Sequence, residues 1–171
     1  MTNRERDIDL AWAGGLMDGE GCITIQFTPA SSRADLKNDQ YRAVVKITMG
    51  CRLTIERVCA IVGCGKVYAH PGGQRTNSHF DWLCQARQAE QAIRVLRPYL
   101  FTKAQEADVL LEFCDLSNAP QGGKGGTKEV PEELQRRRQE LYQRIRHLKP
   151  RSRFYSEKDR YLNLWDFSIH S

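Results

Sequence analysis

No stretch of this chain is apolar for long enough to cross a bilayer, which excludes an integral membrane helix. The opening residues, MTNRERDIDL, place acids and arginines where an export signal needs an apolar core, so an intracellular, cytoplasmic protein is expected. The six cysteines, Cys22, Cys51, Cys59, Cys64, Cys84 and Cys114, form no CxxC pair, and no CxxC with HxxxH spacing occurs. That disfavours a zinc module; cysteines scattered in apolar segments read as small core side chains in a reducing compartment. Of the four histidines, none has a spacing that argues for a ligand or a general base. A strong charge excess is missing too: 26 Lys+Arg face 21 Asp+Glu, a net charge of +5 that leans toward polyanions without identifying one.

What is present is an alternation of helical and strand patterns. Asp7 reads as the N-cap of a helix to about Met17, with Ile8, Trp12 and Leu16 recurring on one face and Gly19 and Gly21 ending it. CITIQFT (22–28) and QYRAVVKIT (40–48) alternate with period two and read as strands with one core face and one polar face. LTIERVCAIV (53–62) is helical. Residues 66–70 and 77–84 form a second strand pair around PGGQRTN, with His79 and Asp81 on the polar face. Helices over about 87–96 and 102–116 follow. These define a core domain over 1–118, a Gly-rich connection over 119–131, and a helical extension over 132–171. Within that extension the basic run RRRQELYQRIRHLK reads as a solvated helix face more readily than as a phosphate clamp.

The polar face of the strands carries Gln26, Arg42, Lys46, Lys66, Tyr68 and His70, a set suited to a DNA groove. The bland alternative is an α+β domain whose sheet faces solvent. LAWAGGLMDGEG (10–21) speaks against it. Ala11 and Gly15 lie four residues apart, with Gly14 adjacent, and adjacent glycines inside a helix cost roughly 1 kcal/mol each. Close approach of a second helix explains them, and the natural partner is a second copy about a two-fold axis. Two Glu20 carboxylates would then meet near that axis, where hard oxygen ligands suit Mg²⁺ and phosphodiester hydrolysis.

The segment AGGLMDGEG (13–21) resembles the nine-residue motif of the LAGLIDADG homing endonucleases: Gly15, Leu16, Asp18 and Gly21 match, and Glu20 replaces the second acid conservatively. VGCGKVY (62–68) and LRPYLFTKAQEADVLL (96–111) fall where that family has similar segments, and the likeness covers about residues 7–116. The resemblance implies an α+β fold of order αββαββα, a saddle-shaped antiparallel sheet facing DNA, and additional C-terminal helices. With a single motif, the chain resembles the homodimeric members that make a metal-dependent double-strand break in a long pseudo-palindromic site.

By the same resemblance, Glu20 and the Gly19 carbonyl would hold Mg²⁺, or another divalent cation such as Mn²⁺. Lys103 and Arg52 would line the scissile-phosphate pocket, while Asp18 would support the helix ends of an interface including Ala11, Gly14 and Gly15. Thr24, Gln26, Thr28, Arg33, Gln40, Arg42, Lys46, Lys66, Tyr68, His70, His79 and Asp81 would meet double-stranded DNA. Met49 stands where the family commonly places a water-orienting polar residue. The implied setting is intron homing, in the cytoplasm or in an organelle carrying the intron. The alternative is a non-cleaving binder of the same fold, an RNA maturase or a transcriptional regulator.

Overall fold

The computed structural model describes residues 2–32, 38–73, 77–118 and 130–149. Helix α1 spans Asn3–Glu20 and opens on a capping box: the Thr2 hydroxyl accepts the Glu5 N–H, and the Glu5 carboxylate accepts the Thr2 N–H. The helix therefore starts before Asp7, whose carboxylate instead accepts the Tyr99 hydroxyl at 2.9 Å. Its buried stripe is Leu10, Ala13, Gly14 and Met17. Trp12 and Leu16 are half-buried, and Ile8 is 62% exposed, so the core-facing stripe is rotated from the one predicted.

The chain passes directly from α1 into strand β1 (Gly21–Thr28). Gly21 is needed there for space, not for a left-handed turn: its φ is −81°, and a Cβ would come within 2.1 Å of the Met17 sulfur. Strands β2 (Gln40–Met49), β3 (Lys66–His70) and β4 (His79–Gln85) complete one antiparallel sheet in the order β1-β2-β4-β3. Between them lies α2 (Arg52–Val62), closed by Gly63 in the left-handed conformation at φ 76°. Helices α3 (Arg87–Leu96), α4 (Ala104–Asn118) and α5 (Glu132–Leu148) follow.

The period-two alternation sorts the sheet cleanly. Ile23, Ile25, Ala43, Val45, Ile47, Trp82 and Cys84 are buried on the inner face, against α1 to α4. Full burial of an aliphatic side chain of this size contributes about 1.5–3 kcal/mol, so this face fixes the register. Leu141 and Ile145 of α5 belong to the same hydrophobic core. Cys84 and Cys114 are buried as expected of core thiols, but Cys51 is exposed at the start of α2. No helix among the described residues is long and apolar enough to cross a membrane.

Candidate functional site

The end of α1 concentrates negative charge. Asp18 and Glu20 lie in its last turn, which contains no basic residue, at the negative end of the helix dipole. Asp18 is resolved within the chain: its carboxylate accepts the backbone N–H groups of Phe101, Thr102 and Lys103 at 2.7, 3.1 and 2.9 Å. It thereby tethers the approach to α4 onto α1. Lys103 also turns its ammonium onto the Asp18 carbonyl, placing a cation at the helix end. Gly19 and Glu20 are exposed beside it.

The register pairs Gly21 with Ile47, so the end of β2 runs past the start of β1, alongside Gly19 and Glu20. Met49 has the phase of Ile47 and packs against the core, while Thr48 faces outward and donates to Asp81 at 2.7 Å. Arg52 opens α2 and pairs with Glu56 one turn on, at 2.7 Å. Its guanidinium is thus held on its own helix and is not joined to Lys103.

The two glycines of the proposed interface have different surroundings. Gly14 is buried against Tyr99 of its own chain, where a Cβ would lie 2.7 Å from the tyrosine Cβ and 2.8 Å from its carbonyl oxygen. Its closeness serves packing within the chain. Ala11 and Gly15 are exposed, with nothing near Gly15. The exposed Ile8 lies on this side of α1, and Phe101, 76% exposed, follows from the Asp18 tether.

Across the outer sheet face, Gln26 opposes Arg42, Thr24 opposes Val44, Thr28 opposes Gln40, and Lys66 opposes Leu83. Gln26, Arg42, Lys66, Tyr68 and His70 are exposed, and Thr24, Thr28, Gln40, Lys46 and His79 are half-buried. Asp81 departs from a simple reading as a surface contact, being 7% exposed. Lys46 and His70 lie over it, with Lys46 Nζ at 3.2 Å and His70 Nε2 at 3.1 Å from Oδ2. Burial alone would raise its pKa, but the Thr48 and Lys46 hydrogen bonds and the Lys46 and His70 charges bring it below the ordinary carboxylate value. The acid on this face is therefore neutralised locally, and the remaining surface is basic. Arg33 lies outside the described residues.

Two residues of α5 and the residue that follows it extend this surface beyond the sequence reading. Tyr142, Arg146 and Lys149 line an open groove with Thr24, Gln26, Val44, Leu83 and Gln85. The Arg146 guanidinium lies 5.4 Å from the Tyr142 ring centroid, and Lys149 Nζ reaches the Cys22 sulfur at 3.2 Å. Spacing by four and three residues, along α5 and just past its end, was the available signal, hidden in a run whose other arginines are occupied. Arg136 pairs with Glu133 and Glu140, Arg137 with Glu112 and Glu140, and Arg144 with Glu112. That half of the run is the solvated face expected.

A four-stranded antiparallel sheet with helices on one face and a basic outer face, flanked by a helix ending in two acids, defines an open-faced α+β architecture. More narrowly, the chain has the fold of the LAGLIDADG homing endonucleases. The solved structure of the homing endonuclease I-CvuI in complex with a DNA target superposes with a TM-score of 0.70 at 20% identity, over 92% of each chain. The archaeal intron-encoded homing endonuclease I-Vdi141I, complexed with DNA, gives 0.67 at 12% identity, over 90% of this chain and 92% of that one. The LAGLIDADG homing endonuclease I-LtrWI, bound to target DNA, gives 0.59 at 20% identity, over 78% of this chain but 42% of its own length. No protein-family model and no curated protein matches the sequence.

Proposed function

We propose that this chain is a sequence-specific, Mg²⁺-dependent DNA endonuclease that acts as a homodimer, making a double-strand break in a pseudo-palindromic site. The observation that carries the reading is the exposed Glu20 at the dipole-negative end of α1, with Lys103 held on the adjacent Asp18 carbonyl. A carboxylate at that end is electrostatically unfavourable without a cation, and its donors are hard oxygens of the kind Mg²⁺ takes. Glu20 and the Gly19 carbonyl would hold the ion, which when bound supplies charge stabilisation and an activated water for phosphodiester hydrolysis.

The chain's own groups divide the remaining work. Lys103, fixed by its backbone N–H on the Asp18 carboxylate, presents its ammonium where negative charge develops on the scissile phosphate. Arg42, Lys46 and Lys66, joined by Arg146 and Lys149, hold the duplex backbone, while Gln26, Thr24 and Tyr68 face base edges. The exposed face of α1 at Ile8, Ala11 and Gly15 is the surface a second copy would cover, bringing two Glu20 side chains together. The DNA complexes of the structural neighbours support the same reading of the sheet.

The rival reading, a non-cleaving binder of DNA or RNA, has one observation in its favour. At the end of β2, Met49 packs against the core and the Thr48 hydroxyl is committed to Asp81, so neither side chain is poised to orient water.

Cleavage of a randomised duplex library with Mg²⁺ separates the two. Specific double-strand cuts by the wild type are expected, with Glu20→Gln slowing cleavage by roughly 10²–10³-fold or more, the scale of losing one electrostatic stabiliser, while DNA affinity is retained. Binding without cutting by both proteins would establish the rival. A one-chain mass in gel filtration on DNA would remove the homodimer from the proposal.

A further inference from the structure

We propose that His70, His79 and Asp81 form a second metal site, on the outer face of the β3–β4 hairpin, that takes a borderline divalent transition ion such as Zn²⁺. The site shares no residue with the Glu20 end of α1.

The hairpin register builds it. His70 is paired directly with His79, and Asp81, two residues further along β4, points to the same face. The imidazole rings stack with centroids 4.7 Å apart and planes 15° from parallel. His70 Nε2 lies 3.1 Å from Asp81 Oδ2, and one ligand atom from each of the three residues falls within 4.8 Å of the others. Ligands sharing a four-coordinate ion at about 2.0–2.1 Å stand about 3.3–3.5 Å apart, so small side-chain rotations close the set.

The surrounding partners already orient the ligands. His79 Nδ1 lies 3.3 Å from the Asn77 carbonyl, which can only accept, so this contact favours the tautomer that donates from Nδ1 and offers Nε2 to a metal. The Thr48 hydroxyl holds Oδ1 of Asp81 at 2.7 Å, leaving Oδ2 turned toward His70. Lys46 Nζ now pairs with Oδ2 at 3.2 Å, the oxygen that the ion would take. Its side chain is 40% exposed, so it can swing away when displaced. Two imidazoles and one carboxylate select zinc-like ions over Mg²⁺, which prefers an all-oxygen shell. Three protein ligands leave one position open, on the sheet side that the proposed function assigns to DNA; the site itself does not rest on that function.

The test uses the full chain, stripped of metal and kept reduced, without DNA. Zn²⁺ is titrated calorimetrically in excess Mg²⁺, and Co²⁺ is followed by its visible spectrum. The expected result is one ion per chain, with no sulfur-to-metal charge-transfer band from the cysteines. Of the four histidines, only the imidazole proton resonances of His70 and His79 should move. His70→Gln and His79→Gln should each weaken binding at least about tenfold to a hundredfold while melting like the wild type. Glu20→Gln should leave it unchanged, and Lys46→Met should tighten it by removing the competing cation. Absence of stoichiometric binding, binding that survives both histidine substitutions, or binding lost with Glu20→Gln would each overturn the site. None of these outcomes depends on whether the protein cuts DNA.

Discussion

Gly14 and Gly15 are adjacent in sequence, yet their substitutions should have opposite effects. A methyl group at Gly14 would press on the Tyr99 Cβ and backbone carbonyl, neither of which can rotate away. Overpacking of that kind costs about 1–3 kcal/mol, only partly offset by the higher helix propensity of alanine. Gly14→Ala should therefore lower the stability measured in urea. At Gly15 a methyl meets nothing within 4 Å, and the propensity gain of up to about 1 kcal/mol should appear undiminished in a dilute sample. If α1 packs on its copy, the same methyl separates the helices, so Gly15→Ala should weaken self-association in sedimentation. An unchanged dimer would show that α1 is not the interface. The glycine pair was legible in the sequence, but its division of roles was not. Tyr99, which decides the phase of α1 and claims Gly14, lies 85 residues further along the chain.

At the scale of elements, period two served well and helical phase served poorly. The strands fell where Ile23/Ile25 and Val45/Ile47 alternate with polar residues, because a pleated strand has only two faces and one of them was plainly apolar. A helix offers many phases, and α1 has apolar residues on two of them; Ile8, Trp12 and Leu16 suggested one stripe, and packing chose Leu10, Ala13 and Met17. The β3–β4 register was equally hidden, since the residues between the strands do not state how the hairpin pairs. The sequence thus places His70 and His79 on the same polar face without showing that they are direct partners in the register. Asp18 shows the same limit for the link between elements. Its sequence position says nothing of the three N–H groups that it accepts from the approach to α4. Asp18→Ala orphans those donors and frees the Lys103 backbone, and should cost about 1–2 kcal/mol, the range of a lost helix cap. Asp18→Asn keeps an acceptor oxygen and should cost less. A loss below about 0.5 kcal/mol for the alanine variant in urea unfolding would mean that water serves these groups as well.

For the whole molecule, the open question is how α5 relates to the rest. Sequence composition places a Gly-rich connection before it and suggests an appended extension. The contacts argue for one folding unit. Leu141 and Ile145 are 1% and 0% exposed within the common core, and the Tyr41 hydroxyl donates to Gln139 across the β2–α5 gap at 2.6 Å. Phe27 meets the Tyr142 ring at a tilt and Tyr41 meets it edge-on, so α5 covers the β1 edge of the sheet that would otherwise stand open to another strand. The same helix carries Arg146 and Lys149 round to the outer face, so its docking couples core stability to the basic surface. Leu141→Ala should then destabilise the entire chain by about 2–5 kcal/mol, as large-to-small changes in a packed core do. It should do so in a single urea transition followed alike by helical circular dichroism and by the fluorescence of the buried Trp82, read with Trp12 and Trp165 replaced by phenylalanine. An early, separate loss of helix signal with the Trp82 transition unmoved would instead mark α5 as an independent appendage. In that case the affinity for DNA should fall with the first transition, at its Arg146 and Lys149 contacts, before the sheet itself is lost.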